Sequence, residues 1–277
     1  MGTSSSFRGA GPNTPLVPSW LSEPSSAPVL LPVEAPQQQP PPPSPPLPPI
    51  EPPPQGDRFR GARANFTRYI KSGDSSTLRH AVSSYVRKGT GGSRGAASRM
   101  GSAKSAAGRI YGFYQGAQEK GTAETLRQLE LGNLVGKPAT DALTWLTDWV
   151  CPPGGPLDEA IARDAFTEAV VGLAVEGVTD IAALTADQWQ ALFLDFIARS
   201  IEARIVNDIG TKSVTMPTDI NAAQRVELNL HQLVEGCVAD AFAETLANGG
   251  VLQDKQIQAR MDDIYRVAFD FLENLPS

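Results

Sequence analysis

The chain has 277 residues, with 24 Lys or Arg against 30 Asp or Glu and a formal charge of −6 at pH 7. Its two cysteines and two histidines are scattered, which argues against a zinc site, because such ligands cluster at short spacings. No run of about 18 apolar residues and no secretory h-region occurs, so neither a membrane span nor an export signal is read and a soluble, cytosolic chain is expected.

Residues 1 to 56 hold 18 of the 24 prolines and a single basic residue, Arg8. A stretch such as Gln37 to Pro49 has too little apolar surface to offset the entropy of ordering and favours a solvated polyproline II spacer. At about 3.1 Å per residue, such a disordered tail would hold its tip on the order of 100 Å from the body. The tip reads Met1-Gly2-Thr3-Ser4-Ser5-Ser6. It fits the N-myristoylation pattern, yet one acyl chain binds membranes weakly and the tail lacks the basic residues of a second signal. The PxxP segments suit an SH3 or WW domain, but no Arg or Lys nearby orients such a ligand, so a spacer is the stronger reading.

Three regions are therefore expected: a disordered Pro-rich tail over 1–56, a basic helical docking segment over 57–120, and an acidic helical bundle over 121–277. The folded body is expected to start between residues 57 and 75. Asp57 to Lys120 carries 13 Lys or Arg against three Asp or Glu, whereas Gly121 to Ser277 carries ten against 24. The simplest consequence is that the two halves attract each other.

In the basic segment, Arg58, Arg60, Arg63 and Arg68 interleave with Phe59, Phe66 and Tyr69, and Arg94, Arg99 and Arg109 run up to Tyr111, Phe113 and Tyr114. Interleaving of this kind suits phosphates and stacked bases, and equally an acidic protein partner, or aromatics that are simply core. Arg58, Arg60, Arg63, Arg68, Arg94 and Arg99 are the candidate partner or nucleic-acid contacts, with a protein partner favoured. Gly89-Thr90-Gly91-Gly92-Ser93-Arg94-Gly95 has the look of a phosphate loop but lacks the Gly-Lys-Ser/Thr of a Walker motif. The small residues of Ala96 to Gly108 predict a helix that approaches another backbone closely.

Every long segment after residue 62 has helical periodicity and none alternates as a strand does, so the fold is expected to be all-α, a bundle of six or more helices. Helices are predicted near 138–150, 157–176, 186–208, 221–247 and 254–274. Trp189, Leu192, Phe193, Phe196, Ile197, Ile201 and Ile205 mark the core face of the third, with a capping box from Thr185 and Gln188. The next buries Val226, Leu230, Leu233, Val234, Cys237, Val238, Ala241 and Phe242 behind an Asn221 cap, and the last buries Ile257, Met261, Ile264, Tyr265, Ala268, Phe269 and Leu272. Trp145 and Trp149, one turn apart, read as core or interface, and the carboxylates as solvated faces with an ordinary Asp195–Arg199 pair. No catalytic constellation, intrinsic cofactor or metal is read from the residues.

The opening Met1 to Gly9, Pro15-Leu16-Val17-Pro18-Ser19-Trp20, the Pro-rich spacer, Phe59-Arg60-Gly61-Ala62-Arg63 and Gly89 to Arg94 together resemble the QatB family of bacterial Qat anti-phage defence operons. The resemblance implies a non-enzymatic defence component encoded beside a P-loop ATPase, a QueC-like enzyme and a TatD-like nuclease. The first two are the expected partners, and the nuclease an indirect one. It also gives the tip a chemistry. QueC enzymes activate a 7-deazaguanine carboxylate with ATP for attack by nitrogen, so Gly2, freed of Met1, would carry a covalent 7-deazaguanine derivative on its α-amine, with Thr3, Ser4, Ser5 and Ser6 threading the pocket. An α-amine of ordinary pKa is roughly a tenth neutral at pH 7, and glycine lacks a Cβ to hinder approach. A nucleic-acid-binding protein using 57–120 is the alternative.

Overall fold

A computed structural model of the chain describes residues 58–151, 157–175, 180–210, 219–247 and 254–276. The Pro-rich tail, with Gly2 and Thr3 to Ser6, and Gly249-Gly250, which the sequence marks as the stop of the helix predicted over 221–247, lie outside the described residues. Among them there is no strand, only an isolated bridge between Pro138 and Asp180, and the all-α expectation holds.

The described residues form ten α-helices, in order: α1 (Arg60–Ser72), α2 (Ser75–Ser84), α3 (Ser93–Ser98), α4 (Gly101–Lys120), α5 (Thr122–Gln128), α6 (Ala139–Val150), α7 (Leu157–Val175), α8 (Ala186–Gly210), α9 (Ile220–Ala247) and α10 (Asp254–Glu273). A π-helical turn, Tyr85–Thr90, continues α2, and short 3-10 turns precede α6 and α8. α1 starts inside the window predicted for the body.

The predicted helix starts and stops are set by local chemistry. The capping box at α8 is formed reciprocally: the Gln188 N–H donates to Thr185 Oγ1 at 3.2 Å and the Thr185 N–H to Gln188 Oε1 at 3.0 Å. At α9 the expected Asn221 cap is displaced by two residues. Asp219 is the capping side chain, its carboxylate accepting the Asn221 N–H at 3.2 Å, because a short carboxylate accepts here and also favours the positive end of the helix dipole.

One continuous core runs from Phe59 to Leu272, so the basic and acidic segments share it. α8 lies at its centre. Trp189, Leu192, Phe193, Phe196, Ile197, Ile201 and Ile205 are all buried, as their periodicity predicts. Phe113 of α4 stacks on Trp189 with centroids 4.7 Å apart at 10°, and Tyr111 meets Phe193, which in turn meets Phe242 of α9 at 5.6 Å. Such pairs add about 0.5–1.5 kcal/mol each beyond burial of their area. The indole N–H of Trp189 donates to Thr122 Oγ1 at 2.9 Å, and the Thr122 hydroxyl donates on to Leu184 O, so the largest core side chain leaves no orphan donor. α10 closes the other side, with Tyr265 OH and Ser200 Oγ joined at 2.9 Å.

The small-residue stretch predicted as a helix over Ala96 to Gly108 is divided between α3 and α4 and packs against side chains of its own chain. Ala103, Ala106 and Ala107 are buried, and a side chain added at Gly108 would touch Ile257 and Met261 of α10.

Candidate partner-binding surfaces

The glycine loop before α3 is an internal anion cradle. Gly91 and Gly92 hold positive φ, which turns the Ser93 N–H toward α10, where it donates to Glu273 Oε2 at 2.9 Å. Arg87 donates to Glu273 O, as does the Ser83 hydroxyl, so the end of α10 is clamped against the π-turn. A carboxylate of this chain fills the role that the sequence pattern suggests for a phosphate.

The candidate arginines divide by what they touch. Arg99 pairs with Asp208 near the end of α8 at 3.1 Å, and Arg63 donates to the backbone oxygens of Asp208 and Ile209. Tyr85 OH donates to the same Asp208 carboxylate at 2.9 Å; burial first, and Asp208 second, push its phenol well above the usual range. Arg58 donates to Gly89 O, and the guanidiniums of Arg58, Arg63 and Arg99 lie 5.7–5.9 Å from the Phe59 ring. Arg68 is exposed and held by Asn65. Arg60 and Arg94 are exposed on the same basic segment. Thus Arg63 and Arg99 serve the fold, whereas Arg60 and Arg94 point outward.

The interleaved aromatics are core. Phe59, Phe66, Tyr69, Tyr85, Tyr111, Phe113 and Tyr114 are all buried, so they offer no face for a stacked base. The two tryptophans separate: Trp149 packs on Phe113 and under Arg109, while Trp145 is 65% exposed.

A groove of about 1000 Å³ between α7, α8 and α9, with Phe66 of α1 also in its lining, escapes sequence reasoning altogether. His231 spans its wall. The imidazole lies 3.3 Å from Asp195 and 3.1 Å from Glu202, both on α8, and these two hydrogen bonds, against the opposing effect of burial, raise its pKa to about 9. Burial pushes Asp195 up, but its bonds from His231 and Arg199 outweigh this and hold it low. Arg199 bonds Asp195 at 2.9 Å and reaches Glu168 of α7 at 3.7 Å. The predicted Asp195–Arg199 surface pair is therefore one edge of a network across three helices. His231 alone in the sequence gives no signal of this, because its partners lie 29 and 36 positions away; the visible hints are Val206 and Leu228, apolar residues that fall off the core stripes.

Among the described residues no group of three or more His, Cys, Asp or Glu side chains is arranged to hold a metal ion, and no helix is long and apolar enough to cross a membrane. Cys151 and Cys237 are buried free thiols, which burial pushes up to about 11.

By fold, then, the chain is an all-α helical protein whose polar networks join helices and whose exposed chemistry lies on surfaces. It belongs to the QatB family: the family model described as Qat anti-phage system associated protein QatB matches residues 91–272, well over half of the chain. The protein is thereby a component of the Qat anti-phage defence system, with other proteins of that system as its partners. The match covers the helical body from α3 onward and only the end of the Arg-Gly segments, so the shared pattern lies mainly in the helices rather than in the tip and spacer on which the resemblance rests. No curated protein and no solved structure matches the chain.

Proposed function

We propose that the protein acts in the Qat system as a non-enzymatic component. Its helical body docks the system's P-loop ATPase or QueC-like enzyme through the basic face, and its Gly2 amine is the substrate of the QueC-like enzyme. Family membership is the observation that carries this reading. Support for docking comes from Arg60 and Arg94, which are exposed while neighbouring cations are spent on the fold. Support for the Gly2 role comes from the Met1-Gly2-Thr3 start ahead of a Pro-rich spacer. In the chemistry proposed, the neutral Gly2 amine attacks the activated carboxyl carbon of a 7-deazaguanine acid. The activating group leaves, the nitrogen loses a proton, and an amide forms.

Intact-mass measurement on the chain co-expressed with its QueC-like neighbour tests this. The expected product lacks Met1 and carries a 7-deazaguanine-type mass on Gly2, and Gly2→Pro abolishes the addition while the body stays helical. An unmodified Gly2, with full defence from a chain lacking residues 2 to 20, refutes the Gly2 role. For docking, Arg60→Glu with Arg94→Glu reduces co-purification at unchanged thermal stability. Retained co-purification refutes the basic face.

A further inference from the structure

We infer that the groove between α7, α8 and α9 is a separate docking surface, shaped and charged for an amphipathic helix of a partner protein that carries Lys or Arg beside its apolar face. The inference is independent of the basic face and of Gly2.

The groove's walls have helical periodicity. Ala203, Val206 and Ile209 form the floor on α8; Asp164 and Glu168 form one wall on α7; Glu227, Leu228 and His231 form the other on α9. Residues three and four apart on a helix share a face, so these sets make an elongated trough and suit an occupant with anchors at i, i+3/i+4 and i+7. Val206 is 45% exposed and Leu228 57% exposed, while their neighbours Ile205 and Leu230 are buried. Two exposed apolar side chains thus line one concave surface, one from α8 and one from α9.

Charge selects the occupant. Asp164, Glu168, Glu202 and Glu227 line the groove against Arg199 and His231. Both cations are already committed, Arg199 to Asp195 and Glu168, and His231 to Asp195 and Glu202. Asp164 and Glu227 form no ion pair among the described residues. An incoming helix therefore meets carboxylates on opposite walls, which attract Lys or Arg flanks and repel an acidic segment. The His231 clamp fixes the spacing of α8 and α9 in advance, so little order is lost on binding. All the lining residues except Phe66 fall within the region matched to the family.

The test places photoreactive benzoylphenylalanine at Val206, at Leu228, and at Val171, an exposed apolar residue of α7 outside the groove. Each full-length chain is co-expressed with the other proteins of its system, irradiated, and analysed by mass spectrometry. Crosslinks from 206 and 228, but not from 171, are expected to converge on one partner segment with apolar residues a helical turn apart and flanking Lys or Arg. Asp164→Lys with Glu227→Lys should lower that crosslink about tenfold without moving the melting temperature. Arg60→Glu with Arg94→Glu should leave it unchanged, which separates failure of this site from failure of the basic face. Crosslinks to a second copy of the chain, to an acidic or extended segment, or to nothing beyond the Val171 background overturn the inference.

Discussion

His231 is expected to make the folded body sensitive to alkali over a narrow range. In the unfolded chain the imidazole titrates near the ordinary value of 6.5, and in the folded chain near 9. The stabilisation from its charged form is therefore complete below about pH 6.5, declines as pH rises through the window up to about 9, and is gone above it. Converted at about 1.4 kcal/mol per pH unit, the difference is on the order of 3 kcal/mol. The side chain is only 18% exposed, so solvent screening removes a minor part of this. For a body of this size, about 3 kcal/mol corresponds to a fall of roughly 6–12 °C in melting temperature between pH 6 and pH 9. His231→Gln removes the titration and leaves Asp195 and Glu202 without their shared cation. It should lower stability most at pH 6 and converge on wild type near pH 9. Thermal or urea unfolding of both chains at pH 6, 7.5 and 9 measures the difference, which cancels every other titrating group. A difference that is constant with pH, or that grows toward pH 9, refutes the charged clamp.

Three glycines of the basic segment should separate by surroundings in urea unfolding. Gly95→Ala sets a Cβ 2.1 Å from Thr90 O, a backbone atom, and should cost about 3 kcal/mol, at the upper end for overpacking. Gly112→Ala meets nothing within 4 Å in the middle of α4 and should stabilise by about 1 kcal/mol. Gly89→Ala should resemble Gly95→Ala, because its Cβ lands 2.4 Å from the Phe59 ring held under three guanidiniums. Cys151 and Cys237 should resist iodoacetamide at pH 8 in the native chain and react together in urea, as read by intact mass, since burial holds both thiols protonated. Rapid native labelling would show that the helices around them open.

The helices after residue 138, and most of their core faces, were legible in one dimension, although Leu233 and Ile257 on those stripes are only half-buried. The predicted 186–208, 221–247 and 254–274 are Ala186–Gly210, Ile220–Ala247 and Asp254–Glu273, and the Thr185/Gln188 box closes as its spacing requires. These features are local: a period near 3.6 and a cap need only neighbours within a few turns, so they can be read in one dimension. The same reasoning left open whether Phe59, Tyr85 and Tyr111 stack on bases or fill a core, because a helical stripe does not say what covers it. Tertiary packing decided that. It also spent Arg63 and Arg99 on the end of α8, turned the glycine loop onto Glu273, and brought His231 to Asp195 and Glu202 across 29 to 36 positions of sequence. A charge in a sequence carries its sign but not its partner. Which cations stay free for another protein follows only once the helices have chosen their neighbours.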